Sequence, residues 1–222
     1  MTPNDIVGMA ILNDLDIIAV TDHNSFSNAA SVIKAAQNAN AQTGKNLIVL
    51  PGAEISTVEE VHVVCLFPDI ESALNFENEL RPHYPSISNR SDIFGNQLIF
   101  DENDRIIGNE DRMLIAPTTV SFDELHSLTN KHNGAFIPAH IDRASFSVLS
   151  NLGFLPPHLT INTIEVSNAG AEQGFITQNA DTYKHNKIII SSDAHQLWMI
   201  NEKADHIMLP ERTGQAAIDY LR

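Results

Sequence analysis

Short apolar runs alternate with amphipathic stretches along this chain of 222 residues. Parallel strands that are buried on both faces give such runs, and the helices that connect them give the amphipathic stretches. The pattern therefore predicts an α/β fold that forms a single domain over residues 1–222. Seven segments are predicted as strands, namely 17–20, 47–50, 61–67, 135–138, 163–166, 188–191 and 206–209.

Three of the amphipathic stretches carry helix signals. Thr2 followed by Pro3 is typical of an N-cap with proline at the first helical position. Ser121 and Glu124 have the spacing of a capping box. Between residues 29 and 36 apolar side chains recur at helical spacing. We expect a helix to begin at each of these points.

Residues 84–117 interrupt the alternation with a polar stretch. Within it, the apolar segments 98–100 and 105–107 flank the polar residues 101–104, which predicts a β-hairpin inserted in a long loop. Such an insertion can act as a lid or a specificity element, or it can be a passive excursion. The sequence leaves both interpretations open.

The order of the first elements is unusual for a β/α protein. A well-capped helix starts at residue 2, where a strand is expected, so the strand predicted at 17–20 lacks one neighbour. We expect one more strand upstream in the intact protein or in its ancestor. An uncovered edge at 17–20 would also favour self-association.

The composition narrows the class of protein. With 43% hydrophobic residues the chain can bury a full core, and it has no apolar run long enough to predict a membrane span. Its single cysteine, Cys65, cannot form an internal disulfide and lies in an apolar run, so a buried thiol in a reducing compartment is expected. This pattern predicts a cytoplasmic protein.

Histidines and carboxylates follow several predicted strands directly. They are Asp22 and His23 after 17–20, Glu54 after 47–50, His140 after 135–138, and Asp193 and His195 after 188–191, with His62 close to Glu54 in sequence. In β/α folds, ligands bind at the carboxyl ends of the strands. Each residue alone is explained by capping or by a structural hydrogen bond, but their recurrence at four strand ends is not. Imidazole with carboxylate favours zinc, manganese or iron.

Other catalytic arrangements have weaker support. Ser191 and Ser192 lack the Gly-x-Ser-x-Gly pattern of a nucleophile elbow, and no glycine-rich phosphate loop is present. The 28 acidic and 13 basic side chains give a formal charge of -15, which disfavours a large nucleic-acid interface. A small phosphorylated substrate remains compatible with this charge, because bound divalent ions dominate the local field.

Five motifs together resemble the polymerase-and-histidinol-phosphatase (PHP) family. They are Thr-Asp-His-Asn at 21–24, Gly-Ala-Glu-Ile at 52–55, Glu-Val-His-Val at 60–63, Pro-Ala-His-Ile-Asp-Arg at 138–143 and Ser-Ser-Asp-Ala-His at 191–195. The resemblance covers about residues 2–195 and is specific only as a set. It implies a distorted seven-stranded β/α barrel of the TIM-like type, with up to three divalent metal ions at its carboxyl rim.

The resemblance also implies a ligand role for each matching residue. Glu54 would bridge two metal ions, and His62 and His140 would complete the second metal site. Asp193 would bind the first ion.

His23 and His195 would bind the third ion. The family opens with a strand that ends in His-x-His, which this sequence lacks, so two ligands of the first ion and one of the third would be missing. Asp22 would orient a ligand. Arg143 would hold a substrate phosphate, although a surface ion pair is an alternative.

The function implied by the resemblance is metal-dependent hydrolysis of phosphate esters by a metal-activated water. The substrate would be a phosphomonoester or a short nucleotide phosphodiester, such as a nucleotide, a sugar phosphate or an amino-alcohol phosphate. Two alternatives stay open: a catalytically impaired metal-binding protein without its first ligand strand, and a metal-dependent amidohydrolase.

Overall fold

The computed structural model describes residues 1–222, which form a mixed α/β structure. The strands are β1 (Ile17–Val20), β2 (Ile48–Ser56), β3 (His62–Leu66), β4 (Leu98–Phe100), β5 (Ile106–Asn109), β6 (Ala135–Pro138), β7 (Thr163–Ser167) and β8 (Lys187–Ser191). The helices are α1 (Pro3–Leu12), α2 (Ala29–Thr43), α3 (Ile70–Leu80), α4 (Ser91–Phe94), α5 (Phe122–Lys131), α6 (Val148–Asn151), α7 (Asn168–Glu172), α8 (Phe175–Gln178) and α9 (Gly214–Leu221). No helix combines the length and the apolar character needed to cross a membrane.

The main sheet has the strand order β1-β2-β3-β6. The apolar runs predicted parallel strands, but this sheet is mixed. β1 is parallel to β2, but β3 is antiparallel to both β2 and β6. The reason is the connection between β2 and β3, residues 57–61, which is too short for a parallel crossover. It closes as a turn, in which Thr57 N donates to Val61 O at 3.0 Å.

The remaining strands form two separate pairs. β7 and β8 are parallel. β4 and β5 form an antiparallel hairpin, which confirms the hairpin predicted within residues 84–117. Hydrogen bonding therefore divides the strands into three sheets instead of one closed barrel. The main sheet and β7 meet where Ile141 N donates to Glu165 O at 2.9 Å.

One predicted strand is wrong. Residues 206–209 are irregular, and Met208 is 82% exposed. An apolar run forms a strand only where a neighbouring strand pairs with its backbone and a packed layer covers its side chains. No strand pairs with this run.

The core explains why the run at 61–67 is apolar except for His62. In β3, Val63 and Cys65 belong to one hydrophobic cluster, while Val64 and Leu66 belong to another on the opposite face. Successive side chains of a strand point to opposite faces, so a strand covered on both sides carries no polar alternation. β3 thus packs between two hydrophobic layers, and this packing stabilises the sheet that carries the candidate site.

The predicted helix starts are confirmed. α1 begins after Thr2 with proline in its first turn, and the Ser121–Glu124 capping box is formed in α5. The first turn of α2 also holds the hairpin. Asn28 Oδ1 accepts from Phe100 N at 3.0 Å, and Ser31 Oγ donates to Phe100 O at 2.6 Å.

Candidate metal centre

Glu54 lies at the centre of a group of three histidines on the main sheet. Its carboxylate is 3.1 Å from His23 Nδ1, 3.4 Å from His62 Nδ1 and 3.3 Å from His140 Nε2. Glu54 and His140 are buried, while His23 and His62 are partly exposed. We call these four residues the Glu54 group. One carboxylate thus faces three imidazoles from three other segments of the chain.

The sheet topology brings these segments together. Glu54 lies near the end of β2, and His23 follows β1, which runs parallel to β2. His62 is the first residue of β3, and His140 follows β6. Because β3 runs in the opposite direction to β2, its start reaches the same rim as the end of β2, where Ser56 pairs with His62. The reversal of β3 therefore places a fourth side chain in the group.

Hydrogen bonds fix the backbone on either side of Glu54. Glu54 N donates to Asp22 O at 3.2 Å, and Asn24 N donates to Glu54 O at 2.9 Å. His140 has a φ of 31°, and its N–H donates to Glu165 Oε1 at 3.2 Å. A positive φ is uncommon for a non-glycine residue and is held here by the surrounding bonds.

The electrostatics of the group favour an ionised carboxylate. Burial alone would raise the pKa of Glu54, but hydrogen bonds with His140 and His62 outweigh it and hold the pKa well below its usual range. Burial lowers the pKa of His23. Burial acts most strongly on His140 and would lower its pKa, but the hydrogen bond and the charge attraction to Glu54 together raise that pKa. The group therefore presents a charged carboxylate surrounded by imidazole nitrogens.

The residues of the group suit a divalent metal ion. One carboxylate and three imidazoles form a donor set that zinc, manganese and iron accept. Ligand atoms of His23, Glu54 and His62 lie within 4.8 Å of one another. His140 Nδ1 is buried and has no hydrogen-bond partner. A buried unpaired nitrogen is costly, but this atom is the second ring nitrogen, because Nε2 faces Glu54 at 3.3 Å and would be the one that binds the metal.

The fold has relatives among solved structures. No family model matches the chain, and no curated protein matches it. The lesion-specific endonuclease PfuEndoQ from Pyrococcus furiosus has a TM-score of 0.66 at 14% identity, covering 100% of this chain and 51% of the endonuclease. A candidate metal-dependent phosphoesterase from Bifidobacterium adolescentis has a TM-score of 0.53 at 16% identity, covering 99% of this chain and 90% of the other.

The chain has a PHP-like fold. It spans about half the length of the endonuclease. At these identities the likeness shows the fold, and it confirms at that level the resemblance seen in the motifs.

Within this PHP-like fold, two of the six residues predicted to bind metal lie beside the Glu54 group instead of in it. Asp193 Oδ2 is paired with Arg143 Nη1 at 2.8 Å. His195 Nδ1 is 2.9 Å from Asp193 O, and its ring centre is 6.1 Å from that of His23. Both residues therefore reach the same rim, but neither contacts Glu54. Their roles as ligands stay a prediction.

The side chains of the two residues predicted to assist, Asp22 and Arg143, each have a partner outside the Glu54 group. The side chain of Asp22 accepts a hydrogen bond from Asn28 Nδ2 at 3.2 Å, and burial raises its pKa. Asn28 in turn holds the hairpin, so Asp22 connects the rim to the insertion. Arg143 forms the ion pair that the sequence left open, and its partner is Asp193.

The sequence did not single out three residues around the group. Glu165 on β7 is buried, and burial raises its pKa to about 7. The feature that could have identified Glu165 is a carboxylate within an apolar strand. Asp142 accepts from Ser167 N at 2.7 Å and so fixes the end of β7. Phe146 stacks on His62, with ring centres 4.9 Å apart and ring planes at 18°.

Proposed function

We propose that this protein is a metal-dependent phosphoesterase that hydrolyses small phosphate esters. The observation that carries the proposal is the Glu54 carboxylate, which lies within 3.4 Å of nitrogen atoms from three histidines. The likeness of the fold to a candidate metal-dependent phosphoesterase supports it. The single cysteine is not an activated nucleophile, since Cys65 is buried and burial raises the pKa of its thiol, and this agrees with a mechanism that uses water.

The Glu54 group would hold the metal, and Asp193 and His195 would complete the coordination at the rim. A divalent ion bound there supplies Lewis-acid charge to phosphate oxygens and lowers the pKa of water. Arg143, nearly half exposed at the same rim, would bind and orient the phosphate through charge-assisted hydrogen bonds. Glu165 holds the backbone of His140 in place through Oε1.

Charge indicates the size of the substrate. PfuEndoQ is an endonuclease by name, but a net charge of -15 gives this chain little to attract a long polyanion. We therefore propose a small phosphorylated molecule, either a monoester or a short diester. The proposed fold around the site is the distorted PHP-type barrel, with β6 and β7 adjacent at the bond between Ile141 N and Glu165 O.

A second candidate is a protein that binds metal without turnover. The ion pair between Arg143 and Asp193 favours it, because an aspartate that neutralises an arginine is a weaker metal ligand. The Glu54 group could then hold a metal ion while the rest of the rim remains uncommitted. The two candidates make opposite predictions about activity.

Elemental analysis and a turnover assay on the same preparation test the proposal. We expect bound zinc, manganese or iron, together with hydrolysis of p-nitrophenyl phosphate or bis-p-nitrophenyl phosphate that a chelator abolishes and added manganese restores. Bound metal with no turnover of either ester would favour the second candidate. Release of p-nitroaniline from p-nitroacetanilide, with both esters intact, would favour an amidohydrolase. A protein that takes up no metal would contradict all three.

A further inference from the structure

Phe146 is an aromatic side chain at the edge of the Glu54 group. Its ring stacks on the ring of His62, with centres 4.9 Å apart and planes at 18°. Phe146 is nevertheless 46% exposed and belongs to none of the hydrophobic core clusters. Packing of the core therefore does not account for a phenylalanine at this position.

The backbone of Phe146 has an uncommon conformation. Its φ is 55°, in the left-handed region that bulky residues rarely adopt. Strain of this kind persists only where the surroundings hold it, and it is concentrated at functional sites. Here Phe146 O accepts from His62 N at 2.9 Å, and Ser147 Oγ donates to Arg143 O at 2.7 Å. The exposed ring is thus held against His62 by hydrogen bonds.

One loop carries the residues that a phosphate ester would meet. His140 belongs to the Glu54 group, Arg143 places its guanidinium at the rim, and Phe146 has an exposed ring. Arg143 N donates to His140 O at 2.9 Å, so the first two positions are fixed to each other. A substrate whose phosphate lies at the metal and Arg143 would extend its other end along this loop.

We propose that Phe146 is a stacking platform for an aromatic ring on the substrate, and that the ring is a nucleobase. This inference rests on the proposed phosphoesterase function and names its substrate class as nucleotides. Every nucleobase has a flat face that can stack on an aromatic side chain, so the platform would select nucleotides over sugar phosphates without reading the base.

The test compares adenosine 5′-monophosphate with ribose 5-phosphate, which differ by the base. We expect the wild-type protein to have a lower KM for the nucleotide. Phe146→Leu keeps an apolar side chain but removes the aromatic face, and it should raise the KM for the nucleotide by about tenfold. Its kcat, and the KM for ribose 5-phosphate, should change little. Phe146→Tyr should retain the wild-type preference.

Phe154→Ala is the matched control, because Phe154 is a similarly exposed phenylalanine outside the site. It should leave both KM values unchanged. Equal effects of Phe146→Leu on both substrates would mean that Phe146 only supports His62, and the platform would be refuted. An unchanged KM for the nucleotide would refute it as well.

Calorimetric titration separates this inference from the proposed function. If no ester is hydrolysed but adenosine 5′-monophosphate binds more tightly than ribose 5-phosphate, and Phe146→Leu removes the difference, then the platform stands and the phosphoesterase proposal fails. If both esters are hydrolysed with equal KM, the phosphoesterase proposal stands and the platform is refuted. If neither binds nor reacts while p-nitrophenyl phosphate is hydrolysed, the platform is refuted and the phosphoesterase proposal stands.

Discussion

The rim of this protein has two halves that differ in how firmly the sheet holds them. β2 and β3, which carry Glu54 and His62, each pair with strands on both sides. β8, which precedes Asp193 and His195, pairs only with β7 and is only partly buried along its length. The candidate ligands converge around one carboxylate in the first half, whereas in the second half they contact Arg143 and backbone. Two strands that are paired on both sides therefore carry the middle of this donor set, and the edge strands β1 and β6 add His23 and His140.

The same contrast appears in the electrostatics. Glu54 is buried, and hydrogen bonds with two histidines hold its pKa well below the usual range. His195, by contrast, has a side chain that is 62% exposed. An ion is bound most strongly where ligands are already held in position, so the Glu54 group should dominate metal affinity.

The largest effect is expected from Glu54→Gln. The amide keeps the size of the side chain but removes the charge that faces three imidazoles, so metal content should fall below detection. Turnover of p-nitrophenyl phosphate should fall on the order of 100-fold or more. Glu172→Gln, at an exposed position on α7, is the matched control and should retain both. Normal metal content in Glu54→Gln would show that the dominant site lies elsewhere.

Arg143→Ala should have the next largest effect. Loss of the guanidinium removes charge-assisted hydrogen bonds to phosphate, so the KM for phosphate esters should rise by about tenfold or more, with a smaller change in kcat. Lys184→Ala, which removes an exposed cation from another part of the surface, should leave KM unchanged. An unchanged KM in Arg143→Ala would reduce Arg143 to an ion-pair partner of Asp193.

Glu165→Gln should change the dependence of stability on pH. Burial raises the pKa of Glu165 from 4.5 to about 7, so the folded protein holds this proton more tightly than the unfolded chain does. The contribution of protonated Glu165 to the free energy of unfolding is complete below about pH 4.5 and is lost as the pH rises through 7. Glutamine does not titrate. When the pH is raised from 5 to 8 in the presence of a chelator, the free energy of unfolding of the variant should therefore increase by about 1–3 kcal/mol relative to that of the wild type.

Urea unfolding at the two pH values measures this difference. Glu172→Gln again serves as the control, since an exposed glutamate should give no pH-dependent gain. A constant difference between Glu165→Gln and wild type at both pH values would show that Glu165 titrates normally in the folded protein.

The smallest effect is expected from His195→Ala. His195 is exposed and contacts the backbone of Asp193, so metal affinity measured by competition with a chelating dye should change within about threefold. His62→Ala removes a member of the Glu54 group and should cost far more. Equal losses in the two variants would show that both halves of the rim contribute equally to metal affinity.

Most strands could be predicted from apolar runs, but their direction could not. Residues 61–67 and 206–209 both read as strands, yet only the first forms one. An apolar run becomes a buried strand only where other strands pair with it and other segments cover both of its faces. These segments come from distant parts of the chain. The antiparallel direction of β3 follows from the short connection at 57–61.

The candidate site was predicted in part. His23, Glu54, His62 and His140 were expected to bind metal, and the structure brings these four together. Glu165 and Phe146 were missed because their significance lies in burial and stacking, which depend on residues far away in sequence. The expected role of Asp22 in orienting a ligand stays a prediction, and its side chain accepts a hydrogen bond from Asn28 beside the inserted hairpin.

By itself, the sequence determined the alternation of strands and helices, the helix caps and the donor types available at the strand ends, because these depend on neighbouring residues and on side-chain chemistry. Only the tertiary structure decided that β3 runs backwards and delivers His62 to Glu54, that Asp193 pairs with Arg143, and that the ring of Phe146 lies open against His62. These outcomes depend on which distant segments pack together, and local patterns do not encode such long-range pairing.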